Sequence, residues 1–151
     1  MTVLQQLERL GTRITRLTAD SRKVSPGMAF AAYPGEKADG RAYIPQAIER
    51  GSDTVLWEQE NFRWNGDWQV ANLGVARLRD RVGEIASAVY GHPSEYLWML
   101  GVTGTNGKTS VSQWLAQCFN ANQRMTAILG TLGNGFLESL APAINTTPDA
   151  I

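Results

Sequence analysis

The most specific chemistry in this 151-residue chain lies in one short stretch: Gly104, Thr105, Asn106, Gly107, Lys108, Thr109 and Ser110. An apolar run at residues 96–102 precedes it. Val111, Trp114, Leu115, Cys118 and Phe119 follow at helical spacing. A strand, a Gly-rich loop and a helix in that order make a cradle for phosphate. Glycine lets backbone N–H groups come close to the anion, and the helix N-terminus adds a favourable dipole. Lys108 would reach the outer phosphates of a nucleotide, and the Thr109 hydroxyl would ligate Mg2+. The strict P-loop spacing is not met, since it asks for glycine where Val102 stands; the glycines sit at 101, 104 and 107. The competing reading, a plain turn between strand and helix, leaves Lys108 and Thr109 without a task.

Other reactive side chains carry less. His92 is the only histidine and stands beside Pro93, with no nucleophile or carboxylate next to it in sequence, so a turn residue is expected. Cys118 shares helical spacing with Trp114 and Leu115 and reads as a small buried apolar residue. No His/Cys cluster has the spacing of a structural zinc site. Trp57, Trp64 and Trp68 flank a polar loop from Glu58 to Asp67 and read chiefly as packing residues.

The elements that must position these residues follow from periodicity. Val3, Leu4, Leu7 and Leu10 mark a helix ended by Gly11, and residues 28–33 form an apolar strand closed by Pro34 and Gly35. Tyr43, Ile44, Ala47 and Ile48 mark a second helix, and residues 54–57 a second strand. Val75, Leu78, Val82, Ile85, Ala86 and Val89 make a longer helix. Alternation of helix and strand predicts an α/β fold.

Composition excludes several classes. The chain is 43% hydrophobic, with 14 Lys+Arg balancing 14 Asp+Glu, which argues against disorder and against a dedicated nucleic-acid or membrane surface. One cysteine suits a reducing compartment, and no secretory leader is evident, so a cytoplasmic protein is expected. Charge thins sharply after Gly91, where Lys108, Arg124, Glu95, Glu138 and Asp149 are the only charged residues. The turn-rich stretch Gly91, His92, Pro93, Ser94 therefore places a domain boundary, giving domains at residues 1–91 and 92–151. The second is expected to begin a parallel sheet covered on both faces.

The loop, written Gly-x-x-Gly-Thr-Asn-Gly-Lys-Thr over residues 101–109, resembles the ATP loop of the Mur ligase family, the ATP-dependent amide ligases of peptidoglycan precursor synthesis. Two further matches stand in the expected order. Asp20, Ser21 and Arg22, with residues 26–31 and with Ala38, Asp39, Gly40 and Arg41, resemble the family's UDP-binding domain. Gly130, Thr131, Leu132 and Gly133, followed by residues 145–149, resemble the branch that adds the third amino acid.

The resemblance implies that Ala19 and Ser21 line a uridine site, with Glu36, Lys37 and Ala38 contacting the UDP portion. It implies that residues 104–110 hold ATP, with Lys108 catalytic and Thr109 on Mg2+, and that Asn145, Thr146 and Thr147 contact a UDP-N-acetylmuramoyl-dipeptide. The acceptor would be meso-diaminopimelate or L-lysine, and the protein a monomer. Asp20 and Arg22 also fit a plain local cap and a solvated ion pair.

Thr147, Pro148 and Asp149 read as the start of a helix that residue 151 cuts short. The expectation is an amino-terminal portion of such a ligase, inactive in isolation. A stand-alone UDP-sugar or nucleotide-binding module is the alternative.

Overall fold

Short apolar runs closed by turns build the first part of the chain into a parallel sheet. The computed structural model describes residues 2–9, 11–36, 38–142 and 151. In it β1 (Leu17–Thr18), β2 (Ala29–Ala32), β3 (Thr54–Glu58) and β4 (Ala71–Val75) lie side by side in that order, all parallel. Alternate residues of β2 and β3 serve opposite faces. Ala29, Ala31 and Leu56 pack with Val3, Leu7, Val82 and Ile85, whereas Phe30, Ala32 and Val55 pack with Val24, Ile44 and Ala47. Thus α1 (Val3–Arg9) and α3 (Leu78–Val89) cover one face and α2 (Ile44–Glu49) the other. Cover on both sides is why these strands read as unbroken apolar runs.

Two strands escape the periodicity. β1 is only two residues long, and its free edge is met by Tyr90. That hydroxyl accepts from the Leu17 N–H at 3.2 Å and donates to the Leu17 carbonyl at 3.4 Å. β4 is interrupted by Asn72 and Gly74, so its pairing rests on a neighbour. A Cβ at Gly74 would lie 2.9 Å from the Trp57 ring, and the indole N–H donates to Asn72 Oδ1 at 3.1 Å. Val75, assigned above to a helix, is the last residue of β4, and α3 begins at Leu78.

The chain divides into two compact units that part between Leu97 and Trp98. The second holds α4 (Lys108–Ala121) and a meander of β5 (Ala127–Gly130), β6 (Gly133–Phe136) and β7 (Ser139–Ala141). Its sheet is antiparallel throughout. The strand expected at residues 96–102 does not form among the described residues: Pro93–Tyr96 is a 3-10 turn and the chain beyond it is unpaired. A strand needs a neighbour for its N–H and C=O groups, and no described strand pairs with this stretch. Leu97, Trp98, Met99 and Leu100 are exposed.

The same shortage of partners corrects the reading of Cys118, which is exposed rather than buried. On α4 Val111 and Trp114 are exposed too, and Ala116 is the buried residue. Lys37, Asn145, Thr146, Thr147 and the helix start expected at residues 147–149 lie outside the described residues.

Candidate nucleotide sites

The first candidate site lies at the carboxyl ends of the parallel strands, where α/β sheets place their ligands. Ala19 and Ser21 follow β1, and Glu36 and Ala38 follow its neighbour β2. Asp20 caps the 3-10 turn Ser21–Lys23. Its carboxylate accepts from the Arg22 N–H at 3.0 Å and from Arg22 Nε and Nη2 at 2.9 Å each. The hydrogen bond from the Arg22 side chain holds the Asp20 carboxyl below the usual carboxylate range. Asp20 and Arg22 are therefore the local cap and ion pair that the turn chemistry allows. Ser21, only 8% exposed, donates from its hydroxyl to Gln46 Oε1 at 2.7 Å.

A tight loop presents Glu36 and Ala38. Pro34 and Asp39 form an antiparallel bridge, and the Gly35 N–H donates to the Ala38 carbonyl at 2.8 Å. Glu36 Oε1 accepts from Arg79 of α3 at 3.4 Å. The loop is anchored by Arg41, a residue to which sequence reasoning attached no role. Its guanidinium grips the Asp39 carboxylate, with the shortest contact 2.7 Å. Through Nη1 it also donates to the carbonyls of Glu60 at 2.6 Å and Glu58 at 3.3 Å. It lies 5.1 Å from the Phe62 ring centroid. The hydrogen bond from Arg41 holds the Asp39 carboxyl below its ordinary value.

Sequence alone places Glu58 at the start of a polar loop; the structure gives it another task. It is the buried last residue of β3, and its carboxylate accepts three backbone N–H groups. These are Glu60 at 3.1 Å, Arg77 at 3.2 Å and Leu78 at 2.7 Å. It caps α3 from outside the helix, because Arg77 at the N-cap position is left-handed (φ 54°) and makes no side-chain cap of its own. An acidic residue ending an apolar strand was the available signal. The tryptophans pack together beside this end of β3. Trp57 stacks on Trp64 at 5.8 Å, and Trp64 meets Trp68 edge-on at 4.9 Å.

The second candidate site is the Gly-rich loop. Gly107 is left-handed (φ 77°) and precedes α4 without a side-chain cap, so the first N–H groups of the helix have no partner within it. Lys108 opens the helix. Its ammonium folds back over the loop, donating to the carbonyls of Gly104 at 2.5 Å and Thr105 at 3.4 Å. Residues 103–108 are exposed, and Thr109 is half-buried with its carbonyl accepting from Ser112 Oγ at 2.9 Å. The structure thus brings residues 104–110 together at one helix start.

His92 is a turn residue, left-handed at φ 55°, with Nδ1 3.2 Å from Ser87 Oγ. Among the described residues no group of three or more His, Cys, Asp or Glu side chains is placed to hold a metal. No described helix is long and apolar enough to cross a membrane.

A parallel α/β unit followed by a glycine-rich, uncapped helix start is the arrangement from which phosphate cradles are built. Family comparison narrows it. Residues 13–90 match the Mur ligase family catalytic domain and residues 102–151 the Mur ligase middle domain. The chain belongs to the Mur ligase family.

It is 52% identical over 145 residues to the UDP-N-acetylmuramoyl-L-alanyl-D-glutamate–2,6-diaminopimelate ligase of Nitrosomonas europaea, covering 96% of this chain and 28% of that protein. It is 49% identical over 146 residues to the ligase of the same name from Chromobacterium violaceum, covering 96% and 30%. A solved structure of a ligase of that name superposes with a TM-score of 0.69 at 30% identity, over 99% of this chain and 31% of the other. The MurF ligase of Thermotoga maritima in complex with ADP gives a TM-score of 0.56 at 25% identity, over 83% and 26%. The chain therefore spans less than a third of the length of these relatives.

Proposed function

We propose that this chain carries the uridine-nucleotide and ATP-phosphate sites of an ATP-dependent amide ligase. That ligase adds meso-diaminopimelate to UDP-N-acetylmuramoyl-L-alanyl-D-glutamate. One observation carries the reading: 52% identity across 96% of the chain to a ligase of that name. In this reading residues 1–91 bind the UDP portion through Ala19, Ser21, Glu36, Lys37 and Ala38. Residues 92–151 begin the ATP-binding domain, and Asn145, Thr146 and Thr147 contact the muramoyl-dipeptide. The protein acts as a cytoplasmic monomer, a location that a lone reduced cysteine suits.

The loop fits a polyphosphate. Its helix start is uncapped and its ammonium is exposed, and the present partners of Lys108 are neutral carbonyls. Phosphate oxygens, charged themselves, would bind that ammonium more strongly than neutral carbonyls do. ATP with Mg2+ supplies the phosphoryl group that activates the D-glutamate carboxylate for attack by an amine. Lys108 and the amides of residues 104–110 would position the phosphates and offset their charge, with the Thr109 hydroxyl on the metal.

Replacing Lys108 tests the ATP site. In Lys108→Ala, titration with a fluorescent ATP analogue is expected to show at least about tenfold weaker binding, the loss of one charge-assisted contact. Thermal unfolding of the variant should match the unaltered chain. Undiminished nucleotide affinity would overturn the assignment.

A further inference from the structure

We propose that Gln46 sets the base preference of the uridine site by orienting the Ser21 hydroxyl; the inference rests on the uridine-site reading above. A serine hydroxyl has one proton to give and two lone pairs to offer. In Ser21 the proton is committed to Gln46 Oε1 at 2.7 Å, a typical O–H···O separation. Only acceptance remains available to a ligand. Gln46 is carried on α2, whose backbone is anchored by Ile44 and Ala47, both fully buried in the core beneath.

Uracil and cytosine differ on their pairing edge in the required sense. N3 carries a proton in uracil and a lone pair in cytosine. An oriented Ser21 accepts from uracil N3–H and meets cytosine N3 lone pair to lone pair. Gln46 touches no ligand in this scheme. It is a positioning residue that acts through Ser21.

The test titrates the chain and its variants with UDP and with CDP by calorimetry, with thermal unfolding measured alongside. The unaltered chain should bind UDP about tenfold more tightly than CDP, the difference expected from one hydrogen bond replaced by a clash of lone pairs. Gln46→Leu frees the hydroxyl to rotate, so the two affinities should converge to within about threefold. Gln46 is exposed, so the unfolding midpoint should hardly move. Gln46→Lys offers Ser21 a donor in place of an acceptor, turns the serine proton towards the ligand, and should shift the preference towards CDP. A preference for UDP that survives both substitutions overturns this inference alone. An unaltered chain that shows no saturable UDP binding overturns the uridine-site reading and this inference together.

Discussion

Arg41 shows how much one side chain can organise at this site. It joins the Asp39 carboxylate, the backbone carbonyls of Glu58 and Glu60 and the Phe62 ring, with 11% of its side chain exposed. Arg41→Gln removes most of these at once and should cost about 2 kcal/mol in urea unfolding. The pH dependence has a definite sign. Asp39 titrates below its ordinary value of 3.8 in the folded protein, so its pairing with Arg41 stabilises the fold above that value. The contribution fades as pH falls through the lower, folded value. The stability gap between the unaltered chain and Arg41→Gln should therefore be constant from pH 7 to about pH 5. It should narrow below about pH 4. Thermal unfolding across that range checks it, and a gap that widens in acid would contradict the pairing.

Two elements owe their limits to side chains that lie outside them. The start of α3 is set by Glu58 on β3, which accepts the Leu78 N–H 20 positions along the chain. Glu58→Gln keeps one acceptor oxygen for three N–H groups, and about 1–2 kcal/mol of stability should be lost. Chemical denaturation would measure this, together with faster amide exchange in the first turn of α3. In β4, Gly74 leaves room for the Trp57 ring. Gly74→Ala drives a methyl to 2.9 Å from the indole and should cost about 1–3 kcal/mol by overpacking. Trp57→Phe in the same chain should recover part of that loss, an outcome a purely backbone effect would not give.

Across the whole molecule, burial is uneven. Among the described residues every buried large apolar side chain precedes Trp98, and both core clusters are built from that part. A chain ending at residue 97 is therefore expected to unfold in a single cooperative transition. Its midpoint should fall within about 5 °C of the main transition of the 151-residue chain. A non-cooperative melt by circular dichroism would refute this. In the second unit Val111, Trp114, Leu129 and Phe136 stay exposed, so its apolar surface outruns what its own described residues can cover.

What the sequence by itself determined was local. The candidate phosphate loop at residues 104–110 is legible because its parts are neighbours in the chain, and the helix starts where Lys108 follows Gly107. The doubly covered strands β2 and β3 are legible because burial on both faces demands unbroken apolar runs. Only the tertiary structure decided the rest. Tyr90 completes β1 from 73 residues away, and Trp57 selects Gly74. Glu58 reaches the start of a helix 20 positions on, and Ser21 meets Gln46 from 25 positions off. In each case a hydrogen bond or a packing contact depends on a partner remote in the chain. Periodicity reports which side of an element is apolar, but not which remote atom will meet it.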